Sequence, residues 1–469
     1  MTNYQIEESP LWADIRNVLS SKNNSIRFEY RALLHTEKED YNIMKVVAID
    51  FVRDYANNIG DTIFLSFMMP LGDYRNKLYP YKDNLEISLK KIVLEEVGST
   101  QKKNSKIVVE RYKAAFLSDR NPNVSASETE MYDAESLNKM DVVEVKVQLL
   151  DRSLEPLRIK TTAGVFRQVT VKKLIHALLM GESQKISIDG KPAVDGMDIV
   201  EPNNTDVLNH VILPQGLHIT AIPTFLHEKV SGVYAGGIGT YLQIYNEKKL
   251  WFIYPLFNLK RFDENVSKAI IYAIPKEKLT FSDRTYKKEG EILHILATSA
   301  KVFKDAGETD YMNKGSGFRI ADARAFMKKP VKLTEDGPQG SRVNLNHEVA
   351  IADRKDGLNY APVSSTNVTA NPFREYSKVL ARSVARLDLE WENCDISLLY
   401  PGMPCKYLFL QKEKIVELKG IILYVHGLTS LQGNKFTETS YKSTCQITIV
   451  LNKIESIPSE KTYDSFGEF

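Results

Sequence analysis

Three histidines in the middle of the chain are the first residues whose type could support metal chemistry. His210, His218 and His227 are spaced by eight and nine residues, which fits neither a helical pair of ligands nor two ligands on one hairpin. A metal ion needs ligands that converge at short, fixed distances. We therefore expect structural roles for these histidines, and we predict no metal site and no cofactor.

A glycine-rich segment, Gly232–Gly239, superficially resembles a phosphate-binding loop. A dinucleotide-binding fingerprint follows a strand, opens a helix and has an acidic residue about 20 residues later. Here the glycines precede a strand pattern, and no Gly-Lys-Ser or Gly-Lys-Thr sequence follows. The segment is interpreted as a turn that leads into a hairpin.

The sequence gives little support for catalysis by a serine nucleophile or by paired carboxylates. No Gly-x-Ser-x-Gly elbow occurs, and Gly315-Ser316-Gly317 lacks its five-residue spacing. The carboxylates that could suggest a glycosidase are Glu95, Glu96, Asp388, Glu390 and Glu392. Strand alternation places the last three on one exposed face, where solvation explains them. We predict that the chain is not an enzyme and has no catalytic residues.

Composition and charge describe an ordinary globular protein of several domains. The 469 residues are 43% hydrophobic and 26% charged, which excludes wholesale disorder and predicts two to four domains. Lys and Arg number 62 against 60 Asp and Glu, for a formal net charge of +2. Nucleic-acid binding through bulk charge is therefore disfavoured. The short lysine pairs at 102–103, 172–173 and 287–288 are interpreted as solvated surface.

The cysteines indicate a reducing compartment. Cys394, Cys405 and Cys445 form no Cys-x-x-Cys motif, so neither a disulfide framework nor a zinc knuckle is expected. We predict three free thiols. Residues 1–21 carry acids and lack an apolar core, and the longest apolar runs, such as Gly420–Val425, are short. We therefore expect no signal peptide and no membrane segment.

Periodicity predicts helices at three places. Ser9 is expected to cap a helix with Pro10 in its first position, and Thr170 a helix that Gly181 ends. Asn371 is expected to cap a helix that Pro372 opens and that runs to about Ala385. A short helix is also expected at His218–Val230, interrupted by Pro223.

Strand patterns dominate the two ends of the chain. The expected strands include 26–31, 63–69, 87–90, 142–147, 292–302, 387–392, 406–410, 415–426 and 445–451, with short strands in 185–199 and a hairpin of 241–245 with 250–254. Polar segments at 98–105, 119–141 and 305–368 are expected to be loops, the last with some local structure. Residues 456–469 are expected to be a frayed or contact-making tail.

The chain accordingly divides into an N-terminal helix or arm (1–24), a β-barrel-like domain (25–165), a mixed α/β middle domain (166–285), a second β-barrel-like domain (286–456) and a C-terminal tail (457–469). No repeat of fixed period occurs. The predicted fold class is α+β, mainly β, with two barrels that flank a mixed α/β middle region.

The C-terminal segment has a distinctive order of elements: a helix from Pro372 and an alternating strand, then Leu398–Pro404, Glu417–His426 and a closing strand Thr444–Asn452. In this order the segment resembles the barrel of baseplate hub proteins from contractile, myovirus-type phage tails. Tyr79–Leu85, just before a strand, is similar to a segment of phage hub-like proteins. The resemblance implies that both barrels are tail-tube-like.

This resemblance implies a structural virion protein made in the host cytoplasm and assembled into the tail baseplate. A homotrimer with two barrels per subunit presents six barrels, which would match a trimeric central spike to a hexameric tail tube and start tube assembly. The implied partners are the spike protein, the tail tube protein and baseplate wedge proteins, while DNA passes through the lumen without specific binding. The alternatives are a wedge or receptor-binding protein, or a tail-associated cell-wall hydrolase.

Overall fold

The computed structural model shows a fold that is mainly β, as the sequence predicts. It describes residues 4–7, 9–20, 27–94, 107–116, 142–258, 261–279, 284–303, 317–322, 345–351, 367–369, 371, 373–374, 377, 384–411, 414–431 and 440–452. Glu95, Glu96, Ser316, the lysine pair at 102–103, the polar segments at 98–105 and 119–141 and the tail at 456–469 lie outside these residues. No helix in the described ranges is long and apolar enough to cross a membrane.

Strands occupy most of the described chain. In the first part they are β1 Arg27–His35, β2 Asp40–Asn42, β3 Lys45–Asp54, β4 Thr62–Pro70, β5 Leu85–Leu94, β6 Ile107–Phe116 and β7 Val142–Asp151. In the middle they are β8 Thr161–Val169, β9 Ser187–Ile188, β10 Lys191–Pro192, β11 Gly196–Ile199, β12 Leu208–His218, β13 Gly239–Tyr245, β14 Lys248–Tyr254 and β15 Lys268–Ala273.

The last part adds ten more strands. They are β16 Tyr286–Glu289, β17 Ile292–Ala297, β18 Ser299–Phe303, β19 Gly317–Asp322, β20 Leu345–Ile351, β21 Asn367–Thr369, β22 Val384–Glu392, β23 Pro404–Gln411, β24 Lys414–Leu431 and β25 Tyr441–Asn452. Strands β19 to β21 fall in the polar segment at 305–368 and form a small parallel sheet.

The helical segments are short. They are Tyr4–Glu7, Leu11–Leu19, Leu71–Asp73, Tyr74–Leu78, Tyr79–Asn84, Leu154–Ile159, Val171–Ile175, His176–Met180, Gly181–Gln184, Ile219–Ala221, Ile222–Phe225, Leu226–Val230, Arg261–Glu264, Lys276–Leu279 and Ile396–Leu398. Phe373, Arg374 and Ser377 are also helical. Two predicted caps are confirmed, since Thr170 Oγ1 accepts from the Lys173 N–H and Asn371 Oδ1 from the Arg374 N–H.

Three predicted helix boundaries are wrong. Ser9 does not cap the first long helix, because its hydroxyl donates to the Ile6 carbonyl of the preceding turn, and Pro10 only flanks that helix. Gly181 does not end its helix, which continues to Gln184 because the buried Ser183 bonds both Leu179 and Trp251.

The helix after Asn371 cannot reach Ala385, because β22 begins at Val384, which pairs with Asn452. The predicted strand over 292–302 is divided at Thr298 into β17 and β18. Pro223 does not interrupt a helix either, since it lies in the first turn of Ile222–Phe225, where its missing N–H is tolerated.

Eight strands close into a first circuit. In order of hydrogen-bonded neighbours they are β24, β3, β4, β7, β6, β5, β1 and β25, and β25 pairs back with β24. Alternate side chains of these strands are buried in one apolar cluster that includes Phe28, Leu65 and Phe67. Within the described ranges, the closing contact between β1 and β25 is the residue pair Phe28 with Tyr441.

A second circuit uses the same two C-terminal strands. It runs β24, β23, β15, β17, then β18, β22 and β25, with Thr298 joining β17 to β18. The Thr298 N–H donates to the Glu390 carbonyl and so keeps the circuit continuous. Its buried cluster contains Trp391 and the three cysteines. The helix Leu11–Leu19 packs with Tyr272 and Leu296 in an adjoining cluster.

The middle of the chain forms its own small layers. The predicted hairpin is confirmed as β13 and β14, joined by the two-residue turn Asn246-Glu247 instead of four residues. Strand β11 adds in parallel to β14, and among the described strands β8 pairs only with β12. The short strands β9 and β10 confirm the turn predicted at Asp189-Gly190. A third apolar cluster around Trp251 fills the space between these layers.

Candidate assembly surface and channel face

The long hairpin of β24 and β25 joins the two circuits. Strand β24 has 18 residues, and its first half pairs with β23 while its second half pairs with β3. The change of partner coincides with a register shift between Ile422 and Tyr424. Because both circuits share one pair of strands, the angle between them is set by backbone hydrogen bonds.

One side of this hairpin presents a continuous sheet face, here called the hairpin face. Directly paired residues on antiparallel strands point to the same side of the sheet, so the register defines three cross-strand rows. The rows are Asp54, Tyr424, Thr448, Asp388, Lys301; then Val52, His426, Gln446, Glu390, Ser299; then Asp50, Leu428, Thr444, Glu392. The hairpin face therefore extends across both circuits without a break.

The hairpin face is acidic, and its side chains are half-buried or exposed to solvent. The three rows contain five carboxylates and one lysine. Asp388 accepts from Thr448 Oγ1 at 2.6 Å and Gln446 Nε2 at 2.9 Å. Asp50 Oδ1 lies 2.8 Å from His426 Nε2, and Glu390 accepts from Ser299 at 3.0 Å. The partners named for Asp388 and Glu390 are neutral, so they orient these carboxylates without cancelling their charge, whereas Glu392 forms an ion pair with Lys276.

The pKa of Tyr424 reflects the negative charge of the hairpin face. Burial raises the pKa of its hydroxyl, and the carboxylates of Asp54, Asp50 and Asp388 raise that pKa further. Three acids on two strands, β3 and β22, thus act on one phenol. A surface of this kind repels phosphate groups and offers no bidentate arginine to a base edge.

The opposite side of the junction contains buried ion pairs. Arg53 contacts Asp61 at 3.0 Å and donates to the Ile396 carbonyl at 2.7 Å, and Tyr241 donates to Asp61 at 2.9 Å. Burial works against the charge of Arg53, but Asp61 outweighs it and raises the pKa of the guanidinium. These contacts connect β3 of the first circuit to the loop after β22 and to β13 of the middle layers.

A second pair reinforces the same junction. Lys91 on β5 lies 2.8 Å from Asp395, which follows β22 by three residues. Burial opposes the charge of each partner, yet the pairing raises the pKa of Lys91 and lowers that of Asp395. Sequence analysis did not identify these residues. The sequence signal for them is a charged residue at a strand position that alternation places on the buried side, as at Arg53 and Lys91.

The histidines do not converge. His210 and His218 are exposed on β12, whereas His227 is buried. The Val233 N–H donates to His227 Nδ1, which leaves the proton on Nε2 facing Ser377 Oγ at 3.3 Å. Burial and the charge of Arg374 lower the pKa of His227 to about 4. Among the described residues no cluster of His, Cys, Asp or Glu could hold a metal ion.

The glycines of the segment Gly232–Gly239 allow neighbouring side chains to pack closely against the backbone. A Cβ at Gly232 would lie 2.5 Å from the Cβ of Phe373, and one at Gly239 would lie 2.5 Å from the Tyr254 ring. Gly232 also has a φ of +82°, which disfavours any other residue. The segment leads into β13, as the sequence interpretation holds, and opens no helix.

The remaining predicted groups have ordinary roles. Asp388, Glu390 and Glu392 share one strand face, as predicted, and Glu392 lies 2.9 Å from Lys276 Nζ. Lys172 pairs with Glu201, and Lys287 donates to Asn17 at 2.9 Å. The three cysteines are buried and free. Burial raises the pKa of Cys405, and it does the same for Cys445, which also contacts Cys394.

Comparisons with known proteins were made for the whole chain. No protein-family model and no curated protein sequence matches it. Among solved structures, a tail protein from Neisseria meningitidis has 8% identity and a TM-score of 0.41, with 90% of this chain and 96% of that chain covered. A 43 kDa tail protein of prophage MuSo2 from Shewanella oneidensis has 11% identity and a TM-score of 0.42, with 89% and 96% covered.

A third similar structure is a protein of Escherichia coli, described as a component of the type VI secretion system with structural similarity to bacteriophage T4 tail proteins. It has 8% identity and a TM-score of 0.41, with 88% of this chain and 76% of that chain covered. These three structures are thus two tail proteins and a secretion-system component described as similar to bacteriophage T4 tail proteins.

Proposed function

We propose that this chain is a baseplate hub subunit that links a trimeric central spike to a hexameric tail tube and initiates tube assembly. The observation that carries the proposal is the hairpin of β24 and β25, which belongs both to the closed first circuit and to the second circuit, where β17 continues into β18 through Thr298. Each circuit acts as a tail-tube-like barrel, and the shared hairpin holds the two barrels of one subunit at a fixed angle.

The symmetry argument follows from this arrangement. Three copies of a chain with two barrels present six barrels around one axis, so one ring matches three-fold and six-fold neighbours together. A closed ring also pairs the same two surfaces at each subunit boundary and leaves no open end for further growth. A rigid connection is required, because a loose linker between the barrels would not hold six of them in register.

The hairpin face supplies the wall of the channel in this proposal. It is continuous across both barrels, and its carboxylates repel a passing phosphate backbone. DNA then moves through the lumen without specific binding. The proposed partners are the spike protein, the tail tube protein and wedge proteins, and the proposed site of action is the virion baseplate after synthesis in the host cytoplasm. The role is structural, without catalysis.

Solution mass and imaging test the trimer. One chain has a mass of 53.3 kDa, so mass photometry of the purified protein should give three times this value, about 160 kDa. Electron-microscope class averages should show a ring of six lobes with a central hole. A monomer at micromolar concentration, or a trimer whose two barrels lie at different radii, would rule out the hub arrangement.

Charge reversal tests the channel face separately. The triple variant Asp388→Lys, Glu390→Lys, Glu392→Lys should keep the trimer mass and gain measurable affinity for short duplex DNA in physiological salt, while the wild type shows none. The matched control Asp206→Lys, Glu264→Lys, Glu291→Lys makes the same charge change at exposed positions off the hairpin face. Equal DNA affinity of the two triple variants would show that the hairpin face does not line the channel.

A further inference from the structure

The two-stranded ribbon of β8 and β12 is a surface that the proposed hub does not use. Strand β8 pairs with β12 and with no other strand in the described part of the chain. Its inner side rests on the cluster around Trp251 through Val211 and Leu213, which are buried. An isolated ribbon needs this support, because two strands alone are marginally stable.

The outer side of the ribbon is apolar and open. Val165 and Ile212 lie directly opposite each other and are 58% and 67% exposed. Ile159, just before β8, is 74% exposed, and Val207, just before β12, is 58% exposed. Ile159 and Val207 flank opposite ends of the ribbon, so the cross-strand pair of Val165 and Ile212 is the exposed apolar contact at its centre.

The free edge of β8 selects the shape of a partner. Strand β12 carries Pro214 and a left-handed Gly216, which discourage strand pairing along it. Strand β8 has neither proline nor lysine. Its regular part is short, because Gly164 and Gln168 have positive φ angles on either side of Val165–Arg167. This edge therefore offers backbone groups to a strand of about three residues.

The charge of the ribbon selects the chemistry of that strand. Arg167 is exposed and makes no ion pair within the described residues, and it lies opposite the exposed His210. Neither β8 nor β12 contains a carboxylate. Because side chains alternate along a strand, Val165 and Arg167 lie on the same outer face, two positions apart.

We propose that the ribbon binds an extended segment of another protein in which an apolar residue is separated by one position from an acidic residue. The segment adds as a third strand beside Val165–Arg167. Its apolar side chain packs on Val165 and Ile212, its carboxylate pairs with Arg167, and its backbone bonds the free edge. The partner is a protein strand and not nucleic acid, since the patch is aliphatic and has one cation.

A labelled nine-residue peptide tests the proposal on the full chain. The sequence Gly-Ser-Thr-Val-Thr-Glu-Thr-Ser-Gly places the apolar and acidic residues at the required spacing. Fluorescence anisotropy should give a Kd on the order of 10 to 100 µM. The same peptide with lysine in place of glutamate, or with alternate amides N-methylated, should bind at least about tenfold more weakly. Equal binding of these peptides, or no binding, would overturn the proposal.

Three variants locate the site. Arg167→Glu should lose affinity for the glutamate peptide and gain affinity for the lysine peptide. A ribbon that is only destabilised would not reverse this preference. Val165→Ser should weaken binding about tenfold, while the matched control Val266→Ser, at a 75% exposed valine off the ribbon, should leave it unchanged. If Val165→Ser instead alters the oligomer mass, a second copy of this chain occupies the ribbon and the proposal is wrong.

Discussion

Replacement of Trp391 by alanine should open the second circuit. Trp391 is completely buried, its ring packs edge-on against Tyr286 at 5.5 Å, and its indole N–H donates to Thr285 Oγ1 at 3.0 Å. Truncation of a buried tryptophan costs about 3–5 kcal/mol. Thr285 keeps its own bond to the Glu392 carbonyl, so no buried hydroxyl is left unpaired and the cavity accounts for most of the loss.

The three buried cysteines provide a local assay. Cys394, Cys405 and Cys445 belong to the same apolar cluster as Trp391, so each thiol reacts only when this cluster opens. Under conditions where opening is a fast equilibrium, the labelling rate follows the opening free energy. A loss of 3–5 kcal/mol should accelerate labelling roughly 100- to 5,000-fold, since each 1.4 kcal/mol is tenfold. Mass spectrometry after a timed pulse of iodoacetamide measures the rate.

Two further variants serve as a milder substitution and as a control for the result. Trp391→Phe retains most of the ring and should accelerate labelling by on the order of tenfold, which keeps the test available if the alanine variant does not fold. Trp251→Ala empties an equally buried position in the cluster of the middle layers, which contains no cysteine, and should act far less on the thiols. An acceleration below about fivefold for Trp391→Ala, or equal effects of Trp391→Ala and Trp251→Ala, would refute the packing argument.

Three other predictions concern thiols, protons and buried charge. Mass spectrometry without reductant should find no disulfide among the three cysteines, and a stoichiometric bond would contradict the reducing compartment. The pKa of His227 is lowered from its ordinary value of 6.5 to about 4, so the folded protein binds this proton more weakly than the unfolded chain does. The free energy of unfolding should therefore be highest above pH 6.5 and should fall by about 3 kcal/mol as the pH approaches 4. Urea titrations should show that His227→Gln flattens this fall, and an unchanged profile would disprove the assignment. Lys91→Met leaves Asp395 buried without its partner and should cost about 3–5 kcal/mol in urea titrations; adding Asp395→Asn should restore part of this, and no restoration would argue against the pair.

The strand faces could be predicted from the sequence because alternation is a local property. Leu387, Leu389 and Trp391 point into the second circuit, as do Ile447 and Ile449 on β25, and this follows from the period of two alone. The hairpin of β13 and β14 was equally accessible, since its two halves are adjacent in the chain. Local patterns specify which side of a strand is buried with little ambiguity.

The partners of the strands could not be predicted in this way. His426 and Asp50 touch across 376 positions of sequence, and nothing in either strand identifies the other. An apolar face is complementary to any other apolar face of similar length, so pairing order depends on loop lengths and on packing over the whole molecule. The domain boundaries drawn at 165, 285 and 456 share this limit and stay predictions, with β15 as the case in point: it precedes residue 285 yet pairs with β17 and β23.

The buried charges at the junction follow from this long-range pairing. Arg53 and Lys91 occupy inward positions near the ends of their strands, where a barrel interior meets the next layer. Each would be costly there without a partner. Arg53 pairs with Asp61 and also donates to the Ile396 carbonyl, and Lys91 pairs with Asp395, so both charges contact the residues just after β22. Charged residues at inward positions therefore mark the end of the apolar interior and the place where the two circuits meet.

Sharing a hairpin also makes the two circuits depend on each other. The first circuit consists of strands from residues 27–151 plus β24 and β25. One edge of β3, and the part of β1 that the short β2 does not cover, therefore lack these neighbours until residues 414–452 are in place. Such non-local pairing is slow to form and exposes strand edges meanwhile. Once formed, the same pairing prevents either circuit from losing the hairpin alone, because each of its strands is bonded on both sides. A subunit built in this way is either open in both circuits or rigid in both, and the proposed ring of six barrels requires such rigidity from each of its members.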